Sequence, residues 1–136
     1  MAVSRKELNP HGHALTAEQE QNQQKLHASV AKLREAYGRP LLVTSGVRSL
    51  EQHLAIYKKM GRQAPKGSAH LTGAAVDFAD RDGALSRWCV EHVKDLQTWG
   101  LYMEDPSATP TWTHLQVTPP ASGNTIFVPF IKAAKK

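Results

Sequence analysis

The stretch Ser68-Ala-His-Leu-Thr-Gly-Ala-Ala-Val-Asp77 places a histidine and a carboxylate seven residues apart. A neutral imidazole nitrogen and a carboxylate oxygen are both common ligands of zinc in proteins. Gly73 allows the sharp turn that would bring His70 and Asp77 toward one point. The alternation after this turn predicts a strand that sends Val76 into a core and Asp77 to the opposite face.

A second stretch, Trp112-Thr-His-Leu-Gln-Val117, supplies a third candidate ligand. Its alternation sends His114 to one face of a strand and Leu115 to the other. A catalytic zinc site usually has three protein ligands and a water. We therefore predict that His70, Asp77 and His114 bind zinc. Taken one at a time, the two histidines would be better explained by core hydrogen bonds, and Asp77 by a turn cap.

These motifs resemble those of the zinc peptidases that cleave bacterial cell-wall peptides. The matching elements are the pattern S-x-H-x-x-G-x-A-x-D, the later W-x-H strand and the upstream Ser45-Gly-Val-Arg-Ser49. The group includes D-alanyl-D-alanine carboxypeptidases and dipeptidases and phage L-alanyl-D-glutamate endolysins, with the hedgehog signalling domain as a distant relative. The resemblance covers residues 40 to 118 and implies a His-Asp-His ligand set and a zinc-activated water.

The resemblance also implies residues that bind the substrate. Arg48 matches the arginine that binds substrate and stabilises the developing negative charge in similar enzymes, and its planar fork suits a carboxylate or an oxyanion. Ser68 is expected to hydrogen-bond the substrate, and Trp112 to form a wall of the pocket. The alternatives are a structural arginine, a serine that shapes the turn and a tryptophan that only packs.

The general base is where this sequence departs from the family pattern. Similar enzymes hold a Glu or Asp three residues before the final histidine, or a second histidine two residues before it. Here Thr111 and Trp112 occupy those positions, and neither can accept a proton usefully. Glu104 is the nearest substitute, because it ends a predicted strand beside that of His114 and faces the same way. Asp105 is the alternative base.

Length and composition limit the class of protein. The chain has 136 residues, of which 40% are hydrophobic, and this suits one domain over residues 1–136 with an irregular arm at 1–14. No apolar run is long enough to cross a membrane. The single cysteine, Cys89, excludes an internal disulfide, and its place on a helical apolar stripe predicts a buried thiol.

Charge and the N-terminus bear on partners and location. The net charge of +5 favours anionic partners such as cell-wall polymers. No nucleic-acid motif accompanies this charge, so nucleic acid is not an expected partner, and a monomer is expected. The N-terminus lacks the apolar segment of a secretory signal. We expect synthesis in the cytoplasm and action on the wall after release, as in a phage or prophage lysis enzyme.

Capping and periodicity predict three helices between the strands. The first follows Thr16 and ends near Tyr37. The second follows Ser49 and turns Leu50, Leu54 and Tyr57 to one face. The third follows Asp82 and continues to about Thr98. Strands are predicted over the segments 41–48, 74–79, 101–104 and 112–117, with 126–130 as an apolar edge segment.

The sequence therefore predicts an α+β fold with a small, mainly antiparallel sheet and helices packed on one side, similar to the hedgehog and DD-peptidase domains. The expected function is zinc-dependent hydrolysis of peptidoglycan stem peptides, at D-Ala-D-Ala or L-Ala-D-Glu bonds. One alternative is a catalytically inactive, zinc-containing relative that binds the cell wall. Another is a basic nucleic-acid-binding domain whose histidines are incidental.

Overall fold

The computed structural model describes residues 3–61 and 68–128. Over these residues the helices are α1 (Arg5–Leu8), α2 (Ala17–Tyr37), α3 (Leu50–Lys59), α4 (Ala84–Glu91) and α5 (Val93–Trp99). The strands are β1 (Val43–Ser45), β2 (Ala75–Ala79), β3 (Tyr102–Glu104), β4 (Trp112–Gln116) and β5 (Ile126–Phe127), with a 3₁₀ turn at Pro106–Ala108.

The five strands form one sheet in the order β1-β2-β4-β3-β5. Every pair of neighbours is antiparallel except β3 and β5, which are parallel. This confirms the predicted α+β fold with a mainly antiparallel sheet. β5 lies at the edge, as predicted for the apolar segment 126–130, of which residues 129–130 lie outside the described part of the chain.

The core lies between one face of the sheet and the helices α2, α4 and α5. Val76 and Leu115 face it from neighbouring strands, as the alternation predicts, and the apolar stripe of α2 meets them. Completely burying a large aliphatic side chain contributes about 1.5–3 kcal/mol, so this face supplies the main drive for folding. Cys89 is buried here as predicted, and burial raises its pKa to about 12.

The prediction of an irregular arm over residues 1–14 is wrong for Arg5–Leu8, which form the helix α1. Ser4 and Glu7 form a capping box around this short helix, and Leu8 is completely buried in the core. The carbonyl of Leu8 also accepts a hydrogen bond from the amide of Val47, just after β1. A four-residue helix is too short to show a periodic pattern, which is why the sequence did not reveal it.

The predicted third helix is two helices, which meet at His92. There φ is −116° and ψ is 35°, outside the helical region, although the spacing of the apolar residues continues unchanged. The carboxylate of Asp82 accepts one amide of this helix, that of Ala84. The larger capping role belongs to Asp80, whose carboxylate accepts the amides of Leu85 and Ser86 in the first turn of α4.

The prediction that Leu50, Leu54 and Tyr57 form the packed apolar face of α3 is also wrong. Leu50 and Leu54 are 60% and 52% exposed, whereas His53 is completely buried. The cause is that α3 packs its inner face against the polar side chain of Arg48.

No helix within residues 3–61 and 68–128 combines the length and the hydropathy needed to cross a bilayer.

Candidate metal centre

Pairing of β2 with β4 brings two of the predicted ligands together. Asp77 lies directly opposite His114 in this antiparallel ladder, on the face away from the core. His70 approaches from the turn before β2. One donor atom from each of the three residues lies within 4.8 Å of the other two, and the residues are only 3–7% exposed. Two distant segments of the sequence thus converge on one group of donors.

The turn between His70 and β2 is held by the first turns of α2. Gly73 has a φ of 78°, which favours glycine, and a Cβ there would lie 3.0 Å from the Gln19 carbonyl oxygen. The side-chain amides of Gln19, Asn22 and Gln23 donate to the three successive carbonyls of residues 71–73, at 2.9, 3.0 and 2.7 Å. This amide clamp fixes the turn that presents the histidine.

His70 is oriented by a backbone carbonyl. Its Nδ1 lies 2.9 Å from the carbonyl oxygen of Gly46, which can only accept, so Nδ1 carries the proton. A Cβ on Gly46 would lie 2.1 Å from the carbonyl oxygen of Leu8. The backbone of Leu8 therefore approaches this glycine closely, and the contact connects α1 to the donor group.

His114 is oriented by a side chain. Its Nε2 lies 2.7 Å from Oε1 of Gln116, and its Nδ1 lies 2.9 Å from Oδ1 of Asp77. On the other side of this carboxylate, Nε2 of His70 lies 3.3 Å from Oδ2. Each imidazole therefore donates its proton away from the group and directs its other nitrogen toward Asp77.

The chemistry of this donor set fits a divalent cation. With one proton on each imidazole, two nitrogen lone pairs face an anionic carboxylate, and these three groups have no proton to share. A zinc ion satisfies such a set, and a carbonyl partner on the outer nitrogen of each histidine is the usual support for metal-binding imidazoles. His70, Asp77 and His114 are thus the residues that could hold the metal.

The three residues also perturb one another's ionisation. Burial alone would raise the pKa of Asp77, but the neighbouring imidazoles of His70 and His114 together hold it well below its ordinary range. Burial lowers the pKa of His70. In His114 burial acts in the same direction, but a second proton on Nδ1 would meet the carboxylate of Asp77. The hydrogen bond and the charge attraction of that protonated form outweigh burial, so the pKa of His114 is raised. Asp77 is therefore ionised at neutral pH, in the form that binds cations.

Arg48 lies beside the donor group and is 9% exposed. Its Nη2 lies 3.6 Å from Oδ2 of Asp77, and its Nε donates to Oγ of Ser45 at 3.1 Å. Its Nη1 lies 3.2 Å from Nδ1 of His53, which accepts from the guanidinium. The arginine is therefore held from three sides in one orientation next to the candidate metal ligands.

Glu104 lies on the strand next to His114. The register of β3 and β4 pairs Met103 with Leu115, so the next step places Glu104 opposite His114 and on the same face. The negative charge of Glu104 also contributes to the raised pKa of His114. The carboxylate that the sequence offers as a base is therefore close to the donor group.

The other predicted site residues have structural contacts. Asp105 accepts from both the amide and the hydroxyl of Ser107, at 2.9 and 2.7 Å, and so caps the 3₁₀ turn. Oγ of Ser68 accepts the amide of His70 at 3.2 Å, which shapes the turn. Trp112 is half-buried on β4, two residues before His114 and on the same face.

Sequence reasoning missed two residues of this site, Gln116 and His53. Gln116 follows His114 by two residues and so shares its strand face, which is the signal that could have identified it. His53 gave a weaker signal, because the spacing of Leu50 and Leu54 indicated a different buried face of α3. Both residues are buried: Gln116 contacts the candidate ligand His114, and His53 contacts Arg48 beside the donor group.

Comparison with known families agrees with this geometry. A family model described as Peptidase M15 matches residues 3–115, which include all three candidate ligands. Comparisons with curated proteins and with solved structures yield no match. Peptidases of the matched family depend on zinc. On the evidence of a match over most of its length, the chain belongs to the Peptidase M15 family.

Proposed function

We propose that the chain is a zinc metallopeptidase that hydrolyses peptide bonds in the stem peptides of bacterial peptidoglycan. The observation that carries this proposal is the buried group of His70, Asp77 and His114, whose donor atoms lie within 4.8 Å of one another in a member of a peptidase family. The proposal assigns these three residues as the metal ligands. Bound zinc would supply Lewis-acid activation of water and of the scissile carbonyl.

Glu104 is proposed as the general base, and as the acid that returns the proton to the leaving amine. Two observations support it over Asp105. Glu104 lies opposite His114 by strand register, whereas the carboxylate of Asp105 is engaged with Ser107 in capping a turn. A carboxylate reaching in from β3 would then replace the one that similar enzymes carry at the position of Thr111.

Arg48 is proposed to bind a carboxylate of the substrate and to stabilise negative charge that develops on the scissile carbonyl. A guanidinium has five N–H donors, and the contacts with Ser45, His53 and Asp77 engage three of them. The remaining donors are the ones that would meet the substrate. Ser68 and Trp112 are proposed to line the same cleft.

The substrate class is proposed from the motif resemblance and from charge. Stem peptides of peptidoglycan carry free carboxylates, which suit Arg48, and the cell wall is anionic, which suits a net charge of +5. The scissile bond is a D-Ala-D-Ala or an L-Ala-D-Glu linkage. We further propose that residues 1–136 act as one monomeric domain in phage or prophage lysis.

The test is hydrolysis of purified peptidoglycan, with the new termini identified by mass spectrometry. Activity should disappear with a chelator and return with zinc. Glu104→Gln should retain zinc and lose about 10²–10⁴-fold in kcat, because proton transfer contributes about that much. Glu91→Gln, at an exposed glutamate on α4, is the matched control and should be fully active. Full activity in Glu104→Gln would remove that residue from the mechanism.

An alternative is supported by one observation, the threonine at position 111. A relative that keeps zinc and binds stem peptides without cutting them would not need a base there. It would bind zinc and sediment with peptidoglycan but release no new termini. That result would replace hydrolysis with binding as the function of the same site.

A further inference from the structure

The two imidazoles of the donor group are oriented by different kinds of partner. His70 donates to the backbone carbonyl of Gly46, whereas His114 donates to the side chain of Gln116. A side-chain partner has to be oriented itself before it can orient a histidine. Gln116 is only 8% exposed, so water competes little for its amide.

The orientation of Gln116 follows from its second contact. Its Nε2 lies 2.7 Å from the carbonyl oxygen of Thr118, and only the NH₂ group of the amide can donate to that oxygen. Oε1 is thereby turned toward His114, at 2.7 Å from Nε2. Because Oε1 can only accept, Nε2 of His114 carries the proton and Nδ1 is left to face Asp77.

We propose that Gln116 is the positioning residue for His114, which it holds in the Nε2–H form with Nδ1 available to the metal, and that it thereby sets the metal affinity. The proposal rests on the zinc site of the proposed function but not on peptidase activity. Partners of this kind typically change metal affinity by about 10- to 100-fold when they are removed.

The first experiment measures zinc affinity by competition with a chromophoric chelator. Gln116→Leu removes the acceptor and should weaken zinc binding by about 10- to 100-fold. Gln116→Glu keeps an acceptor oxygen at the same reach and should bind zinc more tightly than Gln116→Leu. Gln97→Leu, at an exposed glutamine on α5, is the control and should match the wild type.

The second experiment starts with the wild type. Long-range ¹H–¹⁵N NMR of the metal-free wild type should show His114 protonated at Nε2, and the zinc complex should show the same proton retained. Gln116→Leu should show a mixture of both tautomers. Because the wild-type spectrum reports the proton on Nε2 directly, it tests the contact with Gln116 even if Gln116→Leu fails to fold.

Several results would overturn the inference. Absence of a proton on Nε2 of wild-type His114 would do so, as would wild-type zinc affinity in folded Gln116→Leu. Equal losses in the Leu and Glu variants would assign Gln116 a packing role only. A wild type that binds no zinc would instead refute the proposed function, while the tautomer measurement would still test the contact between Gln116 and His114.

Discussion

Replacing Asp77 with asparagine should separate a metal site from an ordinary buried polar cluster. The substitution keeps the shape of the side chain but removes the charge that lies between Nδ1 of His114 and Nε2 of His70, at 2.9 and 3.3 Å. The neutral amide is a weak ligand, and its NH₂ group can donate to a histidine nitrogen that would otherwise bind zinc. We expect Asp77→Asn to fold but to lose most of its affinity for zinc.

The expected size of the effect follows from ligand linkage. Zinc at 100 times its Kd stabilises the wild type by about 2.7 kcal/mol. A chain of this length gains about 3–4 °C in Tm per kcal/mol, so the expected rise is about 8–11 °C. If Asp77→Asn weakens binding by about 100-fold, the same zinc concentration contributes only about 0.4 kcal/mol, or about 1–2 °C.

The assay is thermal unfolding followed by near-ultraviolet circular dichroism, with chelated protein scanned before and after zinc is added. Asp95→Asn, at an exposed aspartate on α5, is the matched control and should keep the full rise in Tm. A rise in Asp77→Asn equal to that of the wild type would refute the assignment of Asp77 as a ligand. No rise in the wild type would refute the metal site itself.

Three further changes test the structure around the site, each by urea unfolding at neutral pH and, for Asp80, also in acid. His53→Leu should lower the free energy of unfolding by about 1–3 kcal/mol, because it leaves a buried N–H of Arg48 without an acceptor. His53→Asn should recover part of that loss, and equal stability of the two variants would contradict this role of His53. Asp80→Ala should cost about 2–3 kcal/mol through the loss of charge-assisted bonds to the first turn of α4. Burial would raise the pKa of Asp80, but these bonds outweigh burial and lower it. The contribution of Asp80 to stability is therefore complete above its pKa in the unfolded chain, about 4, and is lost as the pH falls through its lower pKa in the folded protein. The difference between wild type and Asp80→Ala should therefore shrink in acid, and a constant difference would count against the cap. Gly46→Ala should lower the free energy of unfolding by at least about 1–3 kcal/mol, because the new Cβ would overlap the carbonyl of Leu8. Wild-type stability in this variant would show that the backbone moves apart freely.

The candidate ligands could be predicted from sequence because metal binding constrains residue type and spacing together. His70 and Asp77 lie within one short motif, and strand alternation then places Asp77 on the face opposite Val76. His114 lies far along the chain, yet the same alternation places it on the face that meets Asp77. Few other functions require this combination, so the pattern was informative without any knowledge of the fold.

The support for the ligands was harder to predict because it is polar and has no period of its own. The apolar stripe of α2 begins at Leu26, and the same face continues toward the N-terminus as Gln23 and Gln19. Those positions are amides because they meet backbone carbonyls of residues 71–73 and not apolar side chains. The composition of a helix face therefore reports its partner, and that partner is known only once the chain has folded.

The same reasoning explains α3. Leu50 and Leu54 have the spacing of a core-facing pair, but the helix covers Arg48, and a guanidinium is better satisfied by His53 than by leucine. Hydrophobic spacing predicts the buried face only where the opposing surface is itself apolar. Next to a polar site that rule fails, and the buried side chain is the one that can hydrogen-bond.

The donor group also ties the site to the whole fold. His70 is oriented through Gly46, whose closeness to Leu8 requires α1 to be docked, and Asp77 meets His114 only when β2 and β4 are paired. An unfolded chain therefore has no assembled site, so the free energy of zinc binding adds to the stability of the fold. By the same linkage, a change that loosens α1 should weaken zinc binding although α1 supplies no ligand.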